Sequence, residues 1–144
     1  MKWQSLRRAA FTLGIVLSQL PAIAAGAQAS GAADVQQLLD KDLIGVPGKQ
    51  LLMLTVEYLP GGASLPHRHD SQVFVYVLEG ELTMQIAGSP AVTLRPGQTF
   101  YENPTDVHQV SANASKTVPA KILVFIVKEK NAPVSTEIAQ QRAP

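Results

Sequence analysis

From Gln50 onward apolar residues recur at every second position, and proline and glycine repeatedly cut the runs short. A period of two puts alternate side chains on opposite faces of an extended chain, so strands are expected throughout. Leu52, Leu54, Val56 and Tyr58 alternate with Met53, Thr55 and Glu57, and Pro60-Gly61-Gly62 ends the run. Val73 to Leu78 is apolar on both faces, which requires a strand covered on both sides. Glu79-Gly80-Glu81 turns into Leu82 to Ile86, Gly88-Ser89-Pro90 breaks that strand, and Ala91 to Leu94 resumes it before Pro96-Gly97. Thr99 to Tyr101, Val107 to Ser111 and Ala120 to Val127 complete the set. Short strands with turn signals at intervals of about eight to twelve residues leave no room for crossover helices. The expected class is all-β, a sandwich or small barrel.

The first residues follow a different logic. Lys2, Arg7 and Arg8 precede the short apolar stretch Phe11 to Leu20, Pro21 breaks it, and small-x-small triplets run from Ala22 to Ala29. This is the layout of a bacterial export signal, and residues 1–27 are assigned to it. Its apolar core is shorter than the roughly twenty residues a membrane-spanning helix needs, so no stable membrane anchor is expected after cleavage. An uncleaved anchor is the alternative, and Arg7-Arg8 before Phe11 faintly resembles a twin-arginine signal. A periplasmic or secreted location follows. Without this leader the chain holds nine basic and eleven acidic residues, a balance that argues against a nucleic-acid binder. The absence of cysteine means that no disulfide supports the exported protein. About 115 residues suffice for one core. Residues 28–48 form a lead-in, in which Val35, Leu38 and Leu39 lie at the spacing of a short helix. The domain proper spans 49–130, and the weakly patterned tail 131–144 is expected on the surface or over a neighbouring subunit.

The chain holds three histidines and no cysteine. His67 and His69 flank Arg68, and His108 follows the turn at Pro96-Gly97. In a strand, residues two apart share a face, so His67 and His69 start roughly 6 to 7 Å apart, within reach of one ion. A pair of solvent-exposed histidines, with His108 elsewhere, is the plain alternative. If His108 folds back beside the pair, the three imidazoles form a facial metal site.

The surroundings of these histidines carry a resemblance. Gly61, five residues, His67-Arg68-His69 and then Gly80 are similar to the first motif of the cupin family, G-x5-H-x-H-x3or4-E-x6-G. Gly97, five residues, Asn103 and then His108 are similar to the second, G-x5-P-x-G-x2-H-x3-N, with Pro104 and Asn113 one place late. The resemblance spans about Lys49 to Lys128. It implies a double-stranded β-helix, the jelly-roll barrel of cupins, with His67, His69 and His108 holding one divalent transition metal. Imidazole ligation suits iron, nickel, copper, cobalt, zinc or manganese without choosing among them.

One position departs from the family. The glutamate that supplies its fourth ligand falls on Val73, which cannot bind a metal. Gln72 is one residue away and serves only if the strand begins with a bulge. Asp70 is a further possibility from the loop. Glu57, Tyr76, Tyr101 and Glu102 are candidates for a carboxylate or hydroxyl near the ion, with Tyr101 and Glu102 favoured as catalytic groups because they precede the His108 strand. The resemblance implies an exported mononuclear-metal cupin with dioxygenase-like oxidoreductase chemistry on a small molecule. A non-catalytic module for a small ligand or metal, and a metal-dependent isomerase or lyase, are the alternatives. A homodimer is expected, because Val73 to Leu78 and Ile122 to Val127 carry more apolar surface than a small barrel covers alone.

Overall fold

A computed structural model describes residues 33–138. Residues 1–27, read as an export signal, lie outside the described residues. In chain order the strands are β1 (Asp34–Asp42), β2 (Lys49–Tyr58), β3 (Ala63–Ser64), β4 (His67–Arg68), β5 (Gln72–Glu79), β6 (Leu82–Ile86), β7 (Val92–Leu94), β8 (Thr99–Glu102), β9 (Val107–Asn113), β10 (Ala120–Glu129) and β11 (Thr136–Glu137). There is no helix among the described residues.

The strands form two antiparallel sheets in the jelly-roll manner. One runs β1-β2-β10-β5-β8; the other runs β11-β4-β9-β6-β7, with β3 also pairing to β9. Alternation in the sequence becomes alternation in burial. Leu52, Leu54 and Val56 point inward from β2, Val73, Val75 and Val77 from β5, and Ile122, Val124 and Ile126 from β10. Leu82 and Met84 close the core from the second sheet. Gly80 makes the tight passage from β5 to β6 at φ +70°. A Cβ there would run into the Pro119 carbonyl oxygen and Ala120, so only glycine fits.

One expectation is corrected. The stretch around Val35, Leu38 and Leu39 is not a short helix but strand β1, paired along β2 with an irregularity between Gln37 and Leu39. That bulge disturbs the period-two pattern, which is why the apolar residues mimic helical spacing. Within one chain, strand β5 is covered on one face only: Phe74, Tyr76 and Leu78 are exposed. The described residues of the tail are mostly exposed, and within it Thr136 pairs with Arg68 and Glu137 with His67.

Strand β9 contains the irregularity that matters most for the site. Gln85 pairs with Val110 and Ile86 with His108, leaving Gln109 as an extra residue. A bulge of this kind lets side chains at an odd spacing share a face. His108 and Ser111, three apart, are therefore both buried on the inner side.

Candidate metal centre

The open end of the sheets encloses a cavity of about 490 Å³. Its walls are mostly aliphatic, from Leu54, Val56, Val75, Ile122 and Val124, and its polar groups include the three histidines, Glu102, Tyr58, Ser64, Ser111 and Glu137. No lysine or arginine lines it among the described residues.

His67 faces His108 across the β4–β9 ladder, with ring centroids 5.1 Å apart. His69 follows at the end of β4, its ring 4.9 Å from that of His67 and nearly perpendicular to it. Backbone carbonyls orient both rings. His67 Nδ1 donates to Leu65 O at 2.7 Å, and His69 Nδ1 donates to Val134 O at 2.5 Å. A carbonyl oxygen only accepts, so each Nδ1 carries the proton and each Nε2 keeps its lone pair for an ion. The second of these contacts comes from the tail, just before β11.

The fourth group is Glu102. It stands at the end of β8 directly opposite Val73 on β5, in the register Val73↔Glu102. Residues opposite each other in a ladder project to the same face. The carboxylate missing from β5 is thus supplied by the neighbouring strand at the same level of the barrel. Ligand atoms of His67, His69 and Glu102 all lie within 4.8 Å of one another. His108 stands against the other side of the carboxylate, its Nδ1 3.1 Å from Glu102 Oε1. Phe100 stacks on the His108 ring at 5.8 Å and backs it.

The polar atoms fit a metal. Glu102 is 2% exposed and His108 3% exposed. Glu102 Oε2 and both ring nitrogens of His108 are buried without a hydrogen-bond partner among the described residues. Unsatisfied buried lone pairs and an uncompensated carboxylate are costly, and a cation bound between them removes both penalties. Burial, the largest effect, holds the His67 imidazole below its ordinary value of 6.5; the Leu65 carbonyl opposes this, and His69 and His108 add to it. A neutral imidazole is the form that binds a metal.

The remaining candidates lie elsewhere. Gln72 does not take the missing ligand's place, because it is exposed on the outer face of β5 while Val73 points inward. Tyr101 is likewise outside, packed on Phe74 with ring centroids 5.1 Å apart. Tyr76 is exposed, Glu57 pairs outward with Lys121 at 3.5 Å, and Asp70 pairs with Arg68 at 3.0 Å. Sequence reasoning offered Glu102 as a possible catalytic group and not as a ligand. It missed Val134, whose role is carried by a main-chain carbonyl and leaves no mark on residue type. Asn113, one place late against the second motif, is structural: its Nδ2 lies within hydrogen-bond distance of the Tyr58, Leu59 and Val118 carbonyls.

Comparison with known proteins agrees with this fold. A profile of the cupin domain matches residues 54–126. No curated protein matches the sequence. Among solved structures, the DMSP lyase DddQ from Ruegeria pomeroyi DSS-3 is similar at a TM-score of 0.60 and 18% identity, over 73% of this chain and 51% of that one. An oxalate oxidase in complex with the substrate analogue glycolate is similar at 0.55 and 26% identity, over 74% of this chain and 55% of that one. A cupin domain from Bordetella pertussis is similar at 0.56 and 19% identity, over 71% of this chain and 99% of that one. The chain spans about half the length of the first two.

Proposed function

The chain belongs to the cupin family, and from that premise we propose that it is an exported mononuclear-metal oxidoreductase acting on a small oxygen-donor molecule. One observation carries the reading: Glu102, from β8, brings a carboxylate beside His67 and His69, with His108 Nδ1 3.1 Å from its Oε1, at the level where Val73 leaves a gap. His67, His69, His108 and Glu102 would hold the ion. Three neutral imidazoles and one carboxylate leave a divalent ion with a residual positive charge, and an ion of this kind supplies Lewis acidity and open positions for substrate oxygen.

The protein's own part is binding and orientation. The Leu65 and Val134 carbonyls fix the two tautomers, the aliphatic wall offers an apolar surface to the body of a ligand, and Glu102 would hold negative charge beside the ion. The likeness to an oxalate oxidase at 26% identity supports oxidoreductase chemistry. Export follows from the layout of residues 1–27, and the mature protein acts in the periplasm or outside the cell. It works as a homodimer, joined through the exposed apolar face of β5 and β8.

The reading is tested on protein recovered from its own cell envelope. Elemental analysis is expected to find one transition-metal ion per chain, and mass spectrometry a mature amino terminus within 22–30. An oxygen electrode, run with a panel of small hydroxy and keto acids, is expected to record uptake that His108→Ala abolishes. Stoichiometric metal with tight ligand retention and no turnover on the panel would instead identify a binding module. Failure to bind any divalent ion under all loading conditions defeats the proposal.

A further inference from the structure

We infer that the cavity contains a second recognition point, built from Tyr58, Ser64 and Ser111, that selects ligands presenting a hydrogen-bond donor. Tyr58 Oη lies 2.9 Å from Ser64 Oγ and 2.8 Å from Ser111 Oγ, and Ser111 Oγ donates to Met84 Sδ at 3.5 Å. All four residues line the cavity that the histidines and Glu102 enter. Tyr58 and Ser111 are buried, at 3% and 4% exposure.

Proton counting gives the selectivity. A thioether cannot donate, so the Ser111 hydroxyl hydrogen is directed at Met84. With all three contacts made as hydrogen bonds, Tyr58 donates to Ser111 and Ser64 to Tyr58. Each of the three hydroxyl hydrogens is spoken for, while lone pairs remain on all three oxygens. The cluster therefore accepts from a ligand and has no free hydrogen to give. A ligand that could only accept would have to break the chain of hydroxyls or leave its own acceptor unpaired.

This deepens the metal-centre reading and rests on it for the other end of the ligand. Among the described residues no cationic side chain lines the cavity, so an anionic oxygen would find its positive partner at the ion. The ligand class is then a small molecule with an anionic oxygen at one end, an apolar body, and a hydroxyl or N–H donor at the other.

The test uses zinc-loaded mature protein and three probes of increasing length: 4-hydroxybenzoate, 4-hydroxyphenylacetate and 3-(4-hydroxyphenyl)propionate, each compared with its methyl ether by calorimetry. For the probe that spans the cavity, the phenol is expected to bind about tenfold tighter than its ether. In Tyr58→Phe the Ser64 hydroxyl is freed to donate, so the ether's handicap is expected to disappear. Ser111→Ala, in which Tyr58 is likewise released, should narrow the gap as well. Thermal melts of both variants confirm folding. A phenol preference that persists in metal-free protein supports the donor-selective cluster, and an affinity unchanged by removing the metal counts against the metal centre alone. Equal binding of phenol and ether at every length overturns the inference, as does a preference unchanged in both variants or no binding of any probe to either form.

Discussion

Val73 and Glu102 are register partners across the β5–β8 ladder, and both face the cavity that contains the three histidines. A carboxylate lost from one strand is met by a carboxylate on the next. Antiparallel partners start only about 5 Å apart, so the two positions are nearly interchangeable as origins for a ligand. Glu102→Gln keeps the shape and removes the charge. It is expected to lower divalent-metal affinity by more than the roughly 10–100-fold that changes around a metal's ligands cause. The exchanged pair Val73→Glu with Glu102→Val should recover much of that loss. Competition against a chromophoric chelator measures both, and wild-type affinity in Glu102→Gln would remove this residue from the ligand set.

The tail should tune the same ion. Val134 O accepts from His69 Nδ1, and Ile138 N donates to Pro66 O just before His67. Ending the chain after Ala132 frees the His69 ring to rotate or change tautomer. Metal affinity is expected to fall about 10–100-fold with the fold retained, and the visible absorption bands of the cobalt-loaded protein should shift. Unchanged bands and affinity would show that the tail does not orient the ligand.

Acid should act on metal-free protein through His67. Burial holds its folded pKa below the ordinary 6.5, so the folded state disfavours the protonated form. The resulting stability is present above pH 6.5 and is lost as pH falls through the folded value. Urea unfolding of the metal-free protein at pH 7.5 and at pH 5 should show the loss, and His67→Gln should make the decline shallower. An identical decline in that variant assigns the effect to other groups.

Gly80→Ala tests the β5–β6 turn independently of the site. The added methyl meets the Pro119 carbonyl and Ala120 at a positive φ. Destabilisation of at least about 2 kcal/mol is expected in urea melts, with an unchanged m value. The exposed Gly88, which has nothing within 4 Å of a Cβ, should lose less on the same substitution.

The outer face of β5 and β8 carries Phe74 on Tyr101, both 43% exposed. If this face joins two copies, Phe74→Lys should halve the mass seen by light scattering while leaving metal affinity unchanged. A monomeric wild type would remove the dimer.

Much of this protein was legible in order along the chain. Alternation at Leu52, Leu54 and Val56 announced strands because burial on one side of an extended chain has a period of two. Gly61, Gly80 and Gly97, spaced around the histidines, marked turns, and each takes a positive φ. The gap at Val73 was legible too, because a missing ligand is a local fact. β1 was misread because a bulge breaks the period on which such reading depends.

What supplies the missing carboxylate was a different kind of question. Sequence alone determined which groups the chain owns: three imidazoles, no thiols, and a valine where an acid was due. Only the tertiary structure decided that Glu102 faces the histidines while Gln72 and Tyr101 face away. It also brought the Val134 carbonyl from the tail to His69. Strand register and bulges set these meetings, and a one-residue shift in either turns a side chain to the opposite face. The physical reason is that register is a property of two strands paired across the fold, and neither strand's own sequence contains it.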